Sequence, residues 1–452
     1  MQINVKETEK ITSMPPSMLV SATYDNITKT AVLKFYEPAS QKLILWHDET
    51  GHKPYCYSRL SPDELDFLQE RDDILEIKTV KRHDLMKDED VNMSKITVAD
   101  PLTIGGTAGD KSIRNIIETW ESDIKYYENY LYDRSLIVGK YYEIIDGKIK
   151  PHDLEISSEV KLALKSLLWD KVDSENMVDP KEFKELISDW ADLLNQPIPR
   201  IKRLSVDIEV EAEIGRIPDP KIAEKKVTAI GLKGTDGFDQ IFVLRTDGTD
   251  EGVSELGQNI RIVFYEQSKE KEMILDAFKI IEEFPFVLTY NGDEFDLPYL
   301  FNRAERLGIK NENNPLYMMK DSATLKHGVH LDLYRTLSNR SFQIYAFSQK
   351  YTDFSLNSVS KALLNKEKID YGLEFDQLSL YQTANYCYND ALLTYELTSF
   401  NNDLLMDLLV IIARIGRMPI DDIARMGVSQ WIRSLLYYEH RQRNALIPKR
   451  EE

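Results

Sequence analysis

Two acidic residues alternate with apolar residues in a short stretch near the middle of the chain. The stretch reads Leu204-Ser-Val-Asp-Ile-Glu-Val210, with an apolar residue at every second position. Because successive side chains of a β-strand point to opposite faces, Asp207 and Glu209 share the face that these apolar residues leave. Two carboxylates arranged in this way can bind one divalent cation. The same triplet is also typical of a solvated strand face in an acidic chain, so the pattern alone leaves both interpretations open.

A third carboxylate lies where a hydrophobic strand gives way to a helix. The segment Phe286-Val-Leu-Thr-Tyr-Asn-Gly-Asp-Glu-Phe-Asp-Leu-Pro-Tyr299 combines a buried strand, an Asn-Gly turn and a helix start. Asp296 is expected at or near the helix N-cap, at the carboxyl edge of the sheet where α/β proteins bind ligands. Capping alone would explain Asp296. It would not explain why Asn291 and Phe295 share its turn, which favours a functional site.

A fourth carboxylate follows a tyrosine at helical spacing. In Tyr381-Gln-Thr-Ala-Asn-Tyr-Cys-Tyr-Asn-Asp390, the residues Tyr386 and Asp390 are four positions apart and would lie on one helix face. A phenol one turn from a metal-binding carboxylate can orient a water molecule for hydrolysis. The alternative is a tyrosine at the edge of the core beside a surface acid.

The surrounding pattern predicts an α/β core that positions these residues. From residue 201 onward, apolar runs typical of buried strands alternate with helical patterns. Strands are expected at residues 204–210, 227–232, 240–244 and 286–290. Beyond residue 381 the pattern is mainly helical. Before the core the pattern is β-rich, and apolar residues at helical spacing predict one helix over 112–132.

The same patterns divide the chain into five parts. We expect a flexible leader at 1–18, an N-terminal domain at 19–150, a helical connector or insertion at 151–198, an α/β domain at 199–405 and a C-terminal helical segment at 406–452. The leader is assigned because the first residues are polar and include two adjacent prolines. The connector is assigned on amphipathic stretches rich in Lys, Glu and Asp.

Composition limits the classes of protein to be considered. With 452 residues, 42% of them hydrophobic, the chain can bury a sizeable core. Its two cysteines, Cys56 and Cys387, have no metal-binding spacing and fit a reducing compartment. No apolar run reaches the length of a membrane span, so a cytoplasmic protein is expected. The net charge of −19 argues against binding nucleic acid over the whole surface, but it is compatible with a local basic groove.

The first two acidic motifs resemble, in order and context, exonuclease motifs of the family B DNA polymerases. Asp207 and Glu209 fall on the Asp-x-Glu of the first motif. Asn291, Phe295 and Asp296 fall on the Asn-x-x-x-Phe-Asp of the second. Each motif is weak by itself, and the ordered set is far more specific.

The third motif and several other segments extend this resemblance. Tyr386 and Asp390 fall on the Tyr-x-x-x-Asp of the third exonuclease motif. Segments outside the motifs are similar to archaeal, especially crenarchaeal-type, members of the family, and they lie at residues 50–57, 330–334, 356–364 and 431–448. The resemblance therefore covers nearly the whole chain except the leader and parts of the connector.

The resemblance implies a fold and a reaction. It implies an α/β, ribonuclease H-like exonuclease domain, with a mixed sheet flanked by helices, next to an N-terminal β-rich α+β domain and a C-terminal helical segment. It also implies 3′–5′ proofreading hydrolysis of the terminal phosphodiester of DNA with two Mg²⁺ or Mn²⁺ ions. Asp207 would bridge both ions, Glu209 and Asp390 would bind the ion on the nucleophile side, and Asp296 would position the other.

The remaining motif residues are assigned to the substrate. Tyr386 would orient the attacking water, Phe295 would stack near a frayed terminal base, and Asn291 would contact the substrate or brace its turn. The implied binding partner is the single-stranded 3′ end of a DNA primer-template.

Polymerisation by this chain alone is not expected. The palm motifs that bind metal for nucleotide addition in the family are not found in the sequence. We therefore expect the N-terminal portion of a replicative polymerase, either an engineered fragment or one product of a split gene. Its partners would be the polymerase half, with palm, fingers and thumb, and a sliding clamp contacted through that half.

The resemblance also suggests a second site in the N-terminal domain. Archaeal relatives recognise template uracil there, and Tyr24, Pro54, Tyr55 and Ile104 are similar to the residues of that pocket. The alternative is that the tyrosines belong to an ordinary β-domain core. The competing function for the whole chain is therefore a module that binds DNA or template uracil and needs the polymerase half for activity.

Overall fold

A computed structural model describes the chain over residues 11–106, 111–152, 158–159, 162–163, 166, 180–211, 218–246, 248–319, 323–373 and 377–449. Within these residues the chain forms an N-terminal β-rich region, a central α/β region and a C-terminal group of helices. Among the helices of these residues, none combines the length and the apolar composition that a bilayer crossing requires.

One N-terminal sheet has the strand order β3-β2-β1-β7-β8 among the described residues. Its strands are β1 (Met14–Asp25), β2 (Thr30–Glu37), β3 (Lys42–His47), β7 (Tyr141–Ile145) and β8 (Lys148–Pro151). The prediction of a flexible leader up to residue 18 is therefore wrong for residues 14–18, and residues 1–10 lie outside the described part. The two prolines are accommodated because the pairing of β1 with β7 shifts register between Met14 and Ser17.

A second N-terminal sheet has the order β4-β6-β5. It consists of β4 (Tyr55–Ser58), β5 (Ile74–Asp84) and β6 (Glu89–Val98). Four short helices accompany the two sheets, namely α1 (Asp66–Gln69), α2 (Pro101–Ile104), α3 (Ile113–Ile116) and α4 (Tyr126–Asp133). The single helix predicted over 112–132 is wrong, because the backbone of Trp120 pairs with Tyr57 of β4 and interrupts the helix there.

Most of the predicted connector at 151–198 lies outside the described residues. Residue 151 is the last residue of β8, so the N-terminal sheet extends one residue past the predicted boundary at 150. The described end of the connector is helix α5 (Pro180–Leu194), and its helical character agrees with the amphipathic pattern.

The central sheet is mixed and has the order β12-β11-β10-β9-β13-β16. Its strands are β9 (Arg203–Val210), β10 (Val227–Gly234), β11 (Phe238–Leu244), β12 (Arg261–Tyr265), β13 (Phe286–Thr289) and β16 (Val329–Asp332), and a separate hairpin pairs β14 (Leu316–Met318) with β15 (Ala323–Leu325). Strand β9 is antiparallel to β10 and parallel to β13. The predicted strands of the core are all present.

The helices of the central and C-terminal regions are α6 (Glu270–Glu283), α7 (Asp296–Arg306), α8 (Leu333–Leu337), α9 (Leu356–Leu364), α10 (Leu380–Gly416), α11 (Ile420–Arg425) and α12 (Val428–Gln442). They include α6 and α7 on one face of this sheet and α10 on the other. Helix α10 is broken near its middle, because Asn401, Asn402 and Asp403 adopt left-handed backbone conformations. The domain boundary at residues 405/406 stays a prediction.

Two hydrophobic cores lie on opposite sides of the central sheet. The apolar side chains of β9 are buried together with those of α6 and α7. On the opposite face, Ala384 and Cys387 of α10 pack against β10 and β11. The face of β9 that carries its two acids is therefore the face toward α10. A further core joins the first N-terminal sheet, β13, β16 and the C-terminal helices.

Candidate metal centre

Three carboxylates from β9 and α10 converge on one point. One oxygen from each of Asp207, Glu209 and Asp390 lies within 4.8 Å of the other two. The two strand acids share a face, as the alternation predicts, because Val206 and Ile208 are buried on the other side. Grouped carboxylate oxygens are the ligands that Mg²⁺ and Mn²⁺ prefer in proteins.

The approach of α10 to the sheet depends on a glycine. Gly231 of β10 is paired with Asp207 of β9. A Cβ atom at Gly231 would lie 2.8 Å from the carbonyl oxygen of Cys387, so a larger residue would push the helix away. The Cys387 thiol in turn donates to the backbone oxygen of Asp207 at 3.4 Å. These contacts fix the distance between Asp390 and the strand acids.

Asp296 reaches the same region from the start of α7. It is the first residue of the helix, after Phe295 at the N-cap, and no side-chain cap is formed. Its Oδ1 atom instead accepts a hydrogen bond of 3.2 Å from the backbone amide of Ile208. This amide lies between the two strand acids, so Asp296 is held beside them rather than used to cap its own helix. The structure thus brings together all four predicted carboxylates.

The four carboxyl groups share a buried and negatively charged environment. Burial raises the pKa of Asp207 well above its usual range, and the neighbouring acids raise it further. Burial and the charge of Asp390 raise the pKa of Glu209 to about 8. Burial, together with the charges of Asp332 and Asp390, raises the pKa of Asp296 to about 7. Buried acids that repel one another in this way are stabilised by a bound cation.

Two oxygens of this cluster lack a protein partner. Asp207 Oδ2 and Asp390 Oδ1 are buried and have no hydrogen-bond partner among the described residues. An unsatisfied buried oxygen is costly, and a metal ion would satisfy both atoms. The donor set therefore fits a divalent cation.

Lys368 is a member of the site that the sequence analysis missed. Its ammonium group forms an ion pair with Asp390 and lies 5.0 Å from the centre of the Tyr386 ring. Although burial opposes it, the charge of Asp390 raises the pKa of Lys368 above its usual value. No local pattern singles out this lysine, because it lies in an irregular segment between α9 and α10.

The three uncharged motif residues lie on the turn or the helix that carries a carboxylate. Tyr386 is half-buried, and burial raises the pKa of its phenol. Asn291 has a positive φ of 67° and begins the turn after β13. The Phe295 ring is half-buried, with its centre 5.5 Å from that of Tyr299. The side chain of Phe295 is thus partly open to a ligand.

The residues of the predicted uracil pocket are distributed over several cores. Tyr24 packs against the core that contains β1, Tyr55 lies in a cluster with Trp120, and Ile104 lies in a third with Cys56. The Tyr55 hydroxyl also donates to Asp133 at 2.9 Å. Pro54 is buried next to Tyr55. Recognition of uracil therefore stays a prediction that rests on the resemblance.

Comparison with known proteins identifies the family. A family profile described as the exonuclease domain of DNA polymerase family B matches residues 117–359, more than half of the 452 residues. The chain belongs to this family. The matched range of this family B chain contains the first two motifs, and the third lies beyond it. The resemblance identified in the sequence is thereby confirmed.

Curated relatives of this family B chain are longer polymerases. The DNA polymerase 1 of Sulfolobus acidocaldarius is 34% identical over 439 residues, and that of Saccharolobus solfataricus is 36% identical over 440 residues. Each alignment covers 96% of this chain and 48% of the relative. The chain thus spans about half the length of these relatives.

A solved structure shares the fold. The family B DNA polymerase from Pyrobaculum calidifontis superimposes with a TM-score of 0.64 at 15% identity. The superposition covers 97% of this chain and 52% of the polymerase. The mixed sheet flanked by helices is therefore the ribonuclease H-like fold of a family B exonuclease domain, as predicted.

Proposed function

We propose that this chain is a metal-dependent 3′–5′ DNA exonuclease, the proofreading part of a replicative family B polymerase. Family membership makes nuclease chemistry the expected activity. The observation that carries the proposal is the convergence of Asp207, Glu209 and Asp390 within 4.8 Å, with buried oxygens that lack a partner among the described residues. A solvated acidic surface would not bury these oxygens together.

The side chains divide the work of the reaction among them. Asp207, Glu209 and Asp390 would hold the cations, and Asp296 would complete the set from the start of α7. When bound, Mg²⁺ or Mn²⁺ supplies an activated water and stabilises the charge on the leaving 3′ oxygen. The carboxylates must be deprotonated to bind the metal, so binding releases the protons that the cluster retains.

The neighbouring residues orient the reacting groups. Tyr386 lies one helical turn before Asp390 and orients the attacking water. Lys368 balances the charge of Asp390 and lies over the ring of Tyr386, which fixes their relative positions. Phe295 stacks on the terminal base, since aromatic side chains bind single-stranded ends with little sequence preference, and Asn291 contacts the substrate.

The test is degradation of a 5′-labelled single-stranded oligonucleotide with Mg²⁺. We expect a ladder that shortens from the 3′ end, with no degradation in EDTA. The Asp207→Ala/Glu209→Ala variant should degrade DNA more than about 100-fold more slowly than the wild type. Removing a residue that only hydrogen-bonds to a metal ligand typically costs up to about 100-fold, and these two residues are the proposed ligands themselves. Glu282→Ala/Glu283→Ala is the matched control, because it removes two exposed acids from the same domain.

Two results would contradict the proposal. Retained activity in the Asp207→Ala/Glu209→Ala variant would exclude the assigned metal ligands. An inactive wild-type chain that still binds the oligonucleotide, measured by fluorescence anisotropy, would favour the binding module instead. Adding the polymerase part of a relative would then test whether that part delivers the strand.

A further inference from the structure

A buried ion pair joins the C-terminal helices to the turn that carries the second motif. Arg425, the last residue of α11, donates from Nε to Asp293 Oδ2 at 2.8 Å and from Nη2 to Asp293 Oδ1 at 2.9 Å. The Asp293 side chain is 5% exposed. This bidentate geometry is the strongest and most directional form of arginine–carboxylate contact.

The same arginine contacts a fully buried histidine beneath the turn. Arg425 Nη2 lies 2.9 Å from His330 Nδ1, and His330 Nε2 lies 2.8 Å from Thr289 Oγ1. Thr289 is the last residue of β13, directly before the turn. A continuous chain of contacts therefore runs from α11 through β16 to the strand that leads into the second motif.

The backbone of the turn is held by a second acid. Asp332 at the end of β16 accepts hydrogen bonds from the amides of Asn291 at 2.9 Å and Asp293 at 3.0 Å. The turn is also tight, because a Cβ atom at Gly292 would lie 2.2 Å from Thr289 Oγ1. With Asn291 in a left-handed conformation, the turn depends on these contacts to keep its shape.

We propose that Arg425 is a positioning residue for the nuclease site and that it acts through Asp293. Without Arg425, Asp293 would be a buried and poorly compensated charge, and the turn would shift to bring it to water. That shift would displace Asp296, three residues further on, from the Ile208 amide and from the other carboxylates. The proposal rests on the proposed function, and it gives the C-terminal helical segment a role at this site.

The test compares Arg425→Gln, Asp293→Asn and the double variant. Each single change should lower kcat by about 10- to 100-fold and raise the Mn²⁺ concentration needed for half-maximal activity. Because the two substitutions break the same contact, their effects should not add. The kcat of the double variant should be no lower than that of the less active single variant. Arg433→Gln, which removes the same charge from α12, should leave activity unchanged. Arg433 lies over Tyr437 of its own helix.

A merely structural role would give a different pattern. It would lower the folded fraction, measured by circular dichroism, while kcat per folded molecule and Mn²⁺ dependence stayed at wild-type values. Single effects that multiply in the double variant would also overturn the proposal. If Arg425→Gln fails to fold, Arg425→Lys replaces it, because lysine keeps the charge without the bidentate geometry. It should raise the Mn²⁺ concentration needed for half-maximal activity to an intermediate value. An unchanged Mn²⁺ concentration would contradict the proposal.

Mn²⁺ binding without DNA separates this inference from the proposed function. Free Mn²⁺ measured by electron paramagnetic resonance gives the affinity of each variant directly. If the wild type binds Mn²⁺ but cleaves no DNA, the proposed function fails, and weaker binding by Arg425→Gln still supports the positioning role. If the wild type cleaves DNA and Arg425→Gln matches it in both assays, the positioning role fails alone.

Discussion

Two aspartates of one turn, three residues apart, have opposite electrostatic environments. Burial alone would raise the pKa of Asp293, yet His330 and Arg425 beside it hold the pKa well below its usual value. Asp296 accepts from the backbone amide of Ile208 and faces other acids, and its pKa is raised to about 7. A buried acid with its own cation is therefore structural, whereas a buried group of acids without enough cations is suited to bind one.

The same contrast holds between the metal centre and a pair on the far side of the sheet. Glu270 of α6 accepts two hydrogen bonds of 2.7 Å from Arg303 of α7, and both side chains are at most 10% exposed. At the metal centre, three converging acids share the single described ion pair with Lys368. The first arrangement stabilises the fold by itself, and the second needs a cation from solution.

The largest effect is expected from breaking a compensated pair. Arg303→Met leaves Glu270 buried without its partner, so the free energy of unfolding should fall by about 3–5 kcal/mol. Urea denaturation measures it, and kcat per folded molecule should stay unchanged. The Glu270→Gln/Arg303→Met variant should recover part of the loss. A loss below about 1 kcal/mol for Arg303→Met would show that burial does not determine how much this ion pair contributes to the free energy of unfolding.

A smaller effect is expected from titrating the uncompensated acids. Burial and the charge of Asp390 raise the pKa of Glu209 from 4.5 to about 8. At a pH between these two values, Glu209 is protonated in the folded state and deprotonated in the unfolded chain. Stability without metal should therefore fall as pH rises from about 5 to 8, lowering Tm by about 2 °C or more. Mg²⁺ should reverse the fall at pH 8, because it takes the place of the protons.

The matched variant for this pH series is Asp207→Asn/Glu209→Gln. Without the two charges, its Tm should change less between pH 5 and 8 and should respond little to Mg²⁺. Differential scanning calorimetry in EDTA and in Mg²⁺ measures the change of Tm with pH and the change of Tm on adding Mg²⁺. A wild-type Tm that rises across this pH range in EDTA would contradict the raised pKa values of the cluster.

The smallest effect is expected at an exposed pair. Lys81 and Asp90 on the hairpin of β5 and β6 form an ion pair of 2.7 Å with 67% and 48% of their side chains exposed. Water screens this pair, so Lys81→Gln should leave the free energy of unfolding nearly unchanged. Urea denaturation at low and high salt measures the free energy of unfolding. A loss as large as that of Arg303→Met would show that burial does not distinguish the two ion pairs.

The elements that carry the acids could be predicted from local sequence patterns. Strict alternation placed Asp207 and Glu209 on one face of β9, and four-residue spacing placed Tyr386 and Asp390 on one face of α10, because both patterns follow from local backbone geometry. The order of the motifs was enough to identify the family. Local pattern failed at residues 112–132, where pairing of Trp120 with Tyr57 overrides helical spacing.

How these elements meet depends on contacts between segments that are distant in the chain. Gly231 sets the distance between α10 and β9, Lys368 pairs with Asp390 from an irregular segment, and Arg425 reaches Asp293 from a helix outside the matched family range. None of these contacts joins neighbours in the chain, so no periodicity records them. Spacing along the chain reports which face a side chain occupies, whereas the charge balance of a buried site depends on contacts between distant segments.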